Sequence, residues 1–351
     1  MRSISKIDVK SMLHAELKEY FQSFGESKYR AEQVFTWLHK GAKSFHEMTN
    51  LPLKLRNKLE AEFYITVPEI SVKQVSKLDG TIKYLWRLID GASVESVVMQ
   101  YEHGYSVCVS SQVGCRMGCV FCASAIGGLI RNLTASEIVD QVLFAQIDTG
   151  IKISNVVIMG MGEPLDNFCN VMRFIELINH PLGMNIGARH IVLSTCGITK
   201  YIDKLADHSI QLSLAVSLHA PDDDTRRSLM PVARESTVDE LLSACARFGK
   251  TSGRRVTIEY VLIDGVNDSE NHARLLARKL IKSGCHLNII LHNSIPGSEL
   301  KASSQKNVSS FADVLKKSNI NYTIRRRLGN DIDASCGQLR LREELRMSNE
   351  T

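Results

Sequence analysis

The chain has 351 residues, of which 44% are hydrophobic and 23% charged, with a formal net charge of +5. Those totals fit a soluble globular protein of one large domain, or one large and one small, with a sizeable core. They exclude a disulfide scaffold, because nine cysteines are spread over a long chain, and no run approaches the roughly 18 apolar residues of a membrane span.

Residues 7–62 read as short helices, one of them Tyr29–His39 with Val34, Trp37 and Leu38 at helical spacing. From about residue 64 the pattern turns strand-like. The runs Thr81–Leu88 and Ser93–Gln100 flank the turn residues Asp90-Gly91, which predicts a hairpin. From about residue 101 strands and helices alternate. The strand runs are Ser106–Ser110, Asn155–Met159, His190–Ser194, Leu212–Leu218, Val256–Ile263, Leu287–His292 and Tyr322–Arg326. Thr134-Ala-Ser-Glu137 is a capping box that opens a helix to about Thr149, and Thr237–Phe248 and Ser269–Ser283 are also helical. Alternation on this scale predicts parallel strands with crossover helices. The expected division is 1–62 as a helical accessory domain, 63–100 as connecting strands and 101–345 as an α/β core. Six or seven units predict a complete or partial (β/α) barrel, with a doubly wound open sheet as the alternative.

Chemistry concentrates in Cys115-Arg-Met-Gly-Cys119-Val-Phe-Cys122, a C-x3-C-x2-C loop. Closed electron-transfer clusters and structural zinc sites take four protein ligands. Three thiolates on one short loop suit a cluster with one iron open to a small molecule; zinc and plain buried thiols are the alternatives. In a barrel, active-site residues gather at the C-terminal ends of the strands. The Cys loop, Gly160-Met-Gly162-Glu163-Pro164, Ser194-Thr195, Ser217-Leu218-His219 and Asn293 all fall at such ends. Charge is uneven. Residues 1–60 carry 11 Lys and Arg against 7 Asp and Glu, and residues 316–346 carry 8 against 4. Two basic ends suit a polyanion held at its periphery. The opening residues lack an apolar signal-peptide region, and the unpaired cysteine usage predicts a reducing, cytoplasmic setting without membrane attachment.

Taken together, these residues resemble the RlmN/Cfr family of RNA adenine methyltransferases in the radical S-adenosylmethionine (radical SAM) superfamily. The resemblance runs from about residue 20 to Arg342. It is carried by Cys108-Val-Ser-Ser-Gln-Val-Gly-Cys115, the Cys loop, Arg131-Asn-Leu-Thr134, Met159-Gly-Met-Gly-Glu-Pro-Leu165, Leu193-Ser-Thr195, Ser217-Leu-His-Ala220 and Asp331-Ile-Asp-Ala-Ser-Cys-Gly-Gln-Leu339. Pro164-Leu165-Asp166 is more similar to the RlmN side, which methylates adenine carbon 2, than to the Cfr side, which methylates carbon 8. The run from Cys122, Cys-Ala-Ser-Ala-Ile-Gly-Gly, departs from the commoner Cys-Ser/Ala-Thr-Gly pattern.

The resemblance implies a radical SAM partial barrel and a set of roles. Cys115, Cys119 and Cys122 would ligate a [4Fe-4S] cluster. Gly162, Glu163, Ser194, Ser217, Leu218, His219 and Asn293 would contact S-adenosylmethionine, used twice per methylation. Cys336 would carry the methyl group, Cys108 would resolve the protein–RNA adduct by forming a disulfide, and Glu95 would take the proton from the substrate carbon. The implied partners are 23S ribosomal RNA, transfer RNA and an external one-electron donor such as flavodoxin or ferredoxin, for a monomeric enzyme. Arg325-Arg-Arg327 reads as a phosphate contact. Cys169, Cys196, Cys245 and Cys285 read as structural. A non-enzymatic iron–sulfur or zinc protein that binds RNA is the reading from another class.

Overall fold

In a computed structural model, residues 6–350 are described apart from 103, 209, 282, 294 and 296, with only the backbone of 347–350. The chain opens with β1 (Ile7–Asp8) and three helices, α1 (His14–Ser23), α2 (Lys28–Leu38) and α3 (Leu53–Glu62). Strand β2 (Phe63–Tyr64) returns to pair with β1. The helices bury one stripe each, with Leu17 and Phe21, Ala31, Val34, Phe35 and Leu38, and Leu55 and Leu59. These side chains join the core of the rest of the chain in one continuous cluster.

Strands β3 (Glu69–Val75), β4 (Ile82–Arg87), β5 (Ser93–Tyr101) and β6 (Gly104–Cys108) form an antiparallel meander. The β4–β5 hairpin turns at Asp90-Gly91 as expected, with Gly91 at φ +84° and Asp90 Oδ1 accepting from Ala92 N at 3.1 Å. A small hairpin, β7 (Gln112–Gly114) with β8 (Leu129–Asn132), then brackets the Cys loop.

Alternation follows: α4 (Ala135–Thr149), β9 (Ile153–Ile158), α5 (Phe168–Asn179), β10 (Ile191–Thr195), α6 (Thr199–Asp207) and β11 (Ser213–Ser217). Next come α7 (Asp223–Leu229), α8 (Val238–Ser252), β12 (Thr257–Leu262), α9 (Glu270–Leu280), β13 (His286–Leu291), α10 (Gln305–Lys317), β14 (Tyr322–Ile324) and α11 (Gln338–Glu350). The Thr134 capping box forms, with Glu137 Oε2 accepting from Thr134 N at 2.9 Å, and Gly150 closes α4 at φ +68°.

The ten-stranded sheet has the order β14-β13-β12-β11-β10-β9-β6-β5-β4-β3. From β6 to β14 every neighbouring pair is parallel. Spatial order follows chain order without reversal, so there is no switch point and the doubly wound alternative is excluded. The result is a partial α/β barrel, extended at its first edge by β5, β4 and β3. The last parallel strand ends at Ile324, so Arg325–Arg327 lie just beyond it rather than within it. The chain then recrosses the open side toward β3 and β4, where Asp331 Oδ1 accepts from Ser76 Oγ at 2.6 Å.

Candidate active site

Two adjoining cavities, of about 430 and 260 Å³, lie at the C-terminal ends of the parallel strands. Cys336 lines both, together with Met159, Asn293 and Arg325. The smaller cavity holds Cys122, Ser194, Ser217, His219 and Glu259. The larger holds Cys108, Lys83, Glu95 and Arg325–Arg327. Cys336 thus stands in the wall between a chamber reached by the Cys loop and a chamber reached by Cys108.

Each side chain arrives there for a local reason. The Cys loop leaves β7 and is pinned at both ends, by Cys115 N to Gly128 O at 3.0 Å and Val120 N to Leu229 O at 3.1 Å. Burial pushes the Cys115 thiol up to about 12, and Cys119 and Cys122 up as well. Among the other influences, the charges of Cys122 and Glu163 raise Cys115, and those of Cys122 and Cys115 raise Cys119. Three thiols so placed become thiolates only against a positive centre. Among the described residues no three His, Cys, Asp or Glu side chains converge as for a single metal ion. An all-thiolate set on one loop fits an iron–sulfur cluster in its donor chemistry.

Gly162 stands at φ +100°, and a Cβ there would lie 2.5 Å from Gln112 Cβ, so only glycine allows this approach. The next residue, Glu163, is buried. It accepts from Cys196 N at 2.7 Å and Leu165 N at 3.0 Å, and burial pushes its carboxyl up. Gly162, Glu163 and the fully buried Leu218 lie behind the smaller cavity rather than on its surface. Ser194, Ser217, His219 and Asn293 do line it.

His219 has φ +60°, uncommon for a non-glycine residue. It is held there by Asn267 Nδ2 on its carbonyl at 2.7 Å and by Val261 N on its Nδ1 at 3.0 Å. Burial drives its pKa down to about 3, so the ring is neutral and the proton sits on Nε2.

Glu259 went unnoticed in the sequence. It is 3% exposed, takes Asn288 Nδ2 on Oε1 at 3.1 Å, and has no hydrogen-bond partner on Oε2. Arg325 Nη1 is 3.8 Å from that oxygen. The available signal was a Glu inside an otherwise apolar central strand, Thr257-Ile-Glu-Tyr-Val-Leu262. A carboxylate there needs a partner.

Glu95 on β5 is also buried. Its carboxylate meets Lys83 Nζ at 2.6 Å, and takes Gly337 N at 2.6 Å and Arg340 N at 2.7 Å. Cys108 ends β6, paired with Val97 and Val157. Cys108 and Cys336 are both free thiols, raised by burial. Of the four cysteines read as structural, Cys196 and Cys245 are buried, Cys285 is half-buried and Cys169 is exposed.

Comparison with known proteins agrees with this layout. Residues 109–276 match the Radical SAM superfamily, and residues 7–65 match the ribosomal RNA large subunit methyltransferase N-terminal domain. The probable dual-specificity RNA methyltransferase RlmN of Clostridium tetani is 49% identical over 327 residues, covering 93% of this chain and 94% of that protein. The protein of the same description from Clostridioides difficile is 49% identical, covering 95% and 98%. A crystal structure of a radical SAM methyltransferase from Sphaerobacter thermophilus superposes with a TM-score of 0.89 at 43% identity, covering 95% of this chain and 98% of that one.

Proposed function

This chain belongs to the RlmN family of radical SAM RNA methyltransferases, and from that premise we propose that it methylates carbon 2 of an adenosine in the peptidyl-transferase region of 23S ribosomal RNA, and of an adenosine in transfer RNA. Membership sets aside the non-enzymatic reading. The single observation that supports the detailed reading is the place of Cys336, in the wall shared by both cavities.

Cys115, Cys119 and Cys122 would hold the cluster, which when bound supplies the electron that cleaves S-adenosylmethionine to a 5′-deoxyadenosyl radical. Ser194, Ser217, His219 and Asn293 would seat S-adenosylmethionine, with Gly162, Glu163 and Leu218 fixing the backbone behind them. Glu259 joins them, because Oε2 lacks a donor that a ligand could supply. Two molecules are used per methylation. Cys336 Sγ would take a methyl group from the first, which leaves as S-adenosylhomocysteine, and the second would supply the hydrogen abstraction that turns that methyl into a carbon radical. The carbon radical on Cys336 then adds to the adenine ring. Carbon 2 lies between two ring nitrogens and is electron-poor, so it resists ordinary attack on a methyl sulfonium but accepts a radical. Glu95 would take the ring proton while the unpaired electron of the adduct passes to the external one-electron carrier, leaving a closed-shell methylene bridge between Cys336 and the ring. The Cys108 thiolate would then attack the Cys336 sulfur, forming a disulfide as the S–CH2 bond breaks, and the displaced carbon would take a proton to become the methyl group of the released RNA.

The target base must leave its stack to enter the larger cavity. Arg325–Arg327 and the helices of residues 1–62 are proposed to hold its phosphates, strands 63–100 to link them, and residues 101–345 to carry the chemistry. The electron comes from an external donor such as flavodoxin or ferredoxin, and the enzyme works as a cytoplasmic monomer. No helix among the described residues is long and apolar enough to cross a membrane. Mass spectrometry of digested RNA after anaerobic reaction tests the reading. It predicts 2-methyladenosine; 8-methyladenosine would move the enzyme to the Cfr type.

A further inference from the structure

The stretch after β14 is fastened at two points, with Cys336 between them. The first is the β3–β4 turn. There Asp331 Oδ2 accepts from Lys77 N at 2.8 Å, Gly329 N donates to Asp79 Oδ2 at 2.8 Å, and Gln74 and Asp333 exchange two hydrogen bonds of 3.0 Å. The second is Glu95, which takes the amides of Gly337 and Arg340 at the N-terminus of α11. Lys83 Nζ bridges Glu95 Oε2 at 2.6 Å and the Ser335 carbonyl at 3.1 Å. The side chains of Lys83 and Glu95 are 1% and 2% exposed, so their hydrogen bonds are charge-assisted and shielded from water. Gly337 suits this seat. It has φ +76°, and a Cβ would lie 2.6 Å from Ser124 N.

Two amides and an ammonium already occupy the oxygens of Glu95. Yet Glu95 lines the cavity that the substrate base would enter. Proton removal by Glu95 and attachment of α11 to Glu95 therefore compete for the same oxygens. Geometry gives the competition a use. With the second fastener closed, Cys336 is one residue from a fixed amide. With it open, the remaining hold beside Cys336 is Asn293 Nδ2 on Ser335 Oγ at 2.8 Å; once that single contact also yields, the next anchor is Asp333, three residues away, a reach of roughly 10 Å at about 3.3–3.6 Å per residue.

We propose that Glu95 and Lys83 form a releasable clamp on the strap that carries Cys336, that Lys83 is its positioning residue, and that substrate RNA opens it. The proposal rests on the reading of Cys336 as methyl carrier and Glu95 as proton acceptor. Closed, the clamp holds Cys336 against Ser124 on the Cys loop, where the thiol faces S-adenosylmethionine. Open, it frees both the sulfur and the carboxylate toward the larger cavity and Cys108.

Hydrogen exchange of residues 334–341 in the iron-loaded full-length enzyme tests this without reference to turnover. Lys83→Met and Glu95→Gln should speed exchange at Gly337 and Arg340 at least tenfold and speed alkylation of Cys336. Lys83→Arg should stay within a few-fold of wild type. Saturating substrate RNA should speed exchange at the same amides in the wild-type enzyme. Unchanged exchange in both Lys83→Met and Glu95→Gln would overturn the clamp, and unchanged or slower exchange on RNA binding would overturn its release by substrate. Nucleoside analysis reads the methylation product separately, so failure of the clamp and failure of the proposed reaction are distinguishable.

Discussion

Ser124 Oγ and Cys336 Sγ lie 3.0 Å apart, although 212 residues separate them in the chain. Ser124 is buried and only two residues past Cys122. The contact seats a distant thiol on the same loop as the three candidate cluster ligands. It also falls in the run that departs from the commoner family pattern, so that run retains a hydroxyl where the sulfur docks. If Cys336 is the methyl carrier proposed above, a thiol held there is placed to receive its methyl group in the absence of RNA.

The two cysteines proposed to react, Cys336 and Cys108, should separate cleanly on mutation. Cys336→Ala should leave iron content and S-adenosylmethionine cleavage intact while abolishing RNA methylation. Cys108→Ala should instead trap RNA covalently on Cys336, seen as a gel shift that collapses after RNase treatment. Absence of any adduct in Cys108→Ala under turnover conditions would remove the resolving role from Cys108.

Glu259 gives a test of the smaller cavity. Removing a charged acceptor from a buried polar contact costs roughly 1.5–3 kcal/mol, or about 10- to 150-fold in affinity. Glu259→Ala should weaken S-adenosylmethionine binding by that range in calorimetry, with the cluster signal unchanged. The alternative role, steadying Arg325 across 3.8 Å, would leave ligand affinity untouched and weaken RNA binding instead.

The parallel core was legible because its strands carry buried apolar runs and α4, α7, α8, α9 and α10 open with side-chain caps, both local signals. The Cys loop was legible as a spacing, whereas Cys108 and Cys336 stood out only through the resemblance of their surroundings to the family. What stayed hidden depends on partners far apart in the chain. Lys83 sits in an alternating strand and reads as solvent-facing until Glu95 and Ser335 are seen around it. The return strap of residues 329–337 has no periodicity, and its order comes from Gln74, Ser76 and Asp79 some 250 residues earlier. Glu163 matched a motif, but that its two oxygens take the amides of Leu165 and Cys196 could be seen only in the fold.

A buried ion pair ties the N-terminal segment to the barrel. Lys10 Nζ is 2.6 Å from Asp140 Oδ1 on α4 and 2.6 Å from the Thr66 carbonyl. Burial pushes the Asp140 carboxyl up to about 6, against the pull of Lys10 and Thr66. Breaking such a pair from one side costs roughly 3–5 kcal/mol. Lys10→Met should lower the urea midpoint accordingly at pH 7. The gap from wild type should narrow toward pH 5, because a carboxyl without its ammonium gains more by taking a proton. Lys10→Met combined with Asp140→Leu should recover most of the loss. A double variant no more stable than Lys10→Met would show that the pair is not what joins these elements.

Acid should loosen the same region through His39. It lies at the C-terminal end of α2, its ring centroid 4.2 Å from that of Phe35, and burial drives its pKa down to about 3, aided by Lys10 and His180. The unfolded chain takes up a proton near pH 6.5, whereas the native ring stays neutral until about pH 3. Stability from a neutral His39 is therefore complete above pH 6.5 and falls on acidification by about 1.4 kcal/mol per pH unit. Replacement by leucine keeps the packing volume and removes the proton. His39→Leu should flatten the slope of unfolding free energy between pH 6.5 and 4 by about one proton's worth, as measured from urea midpoints. His219, also held near pH 3, contributes a second proton that this substitution leaves in place. An unchanged slope in His39→Leu would mean that His39 is protonated in the native state and that the packing of α2 tolerates a charge.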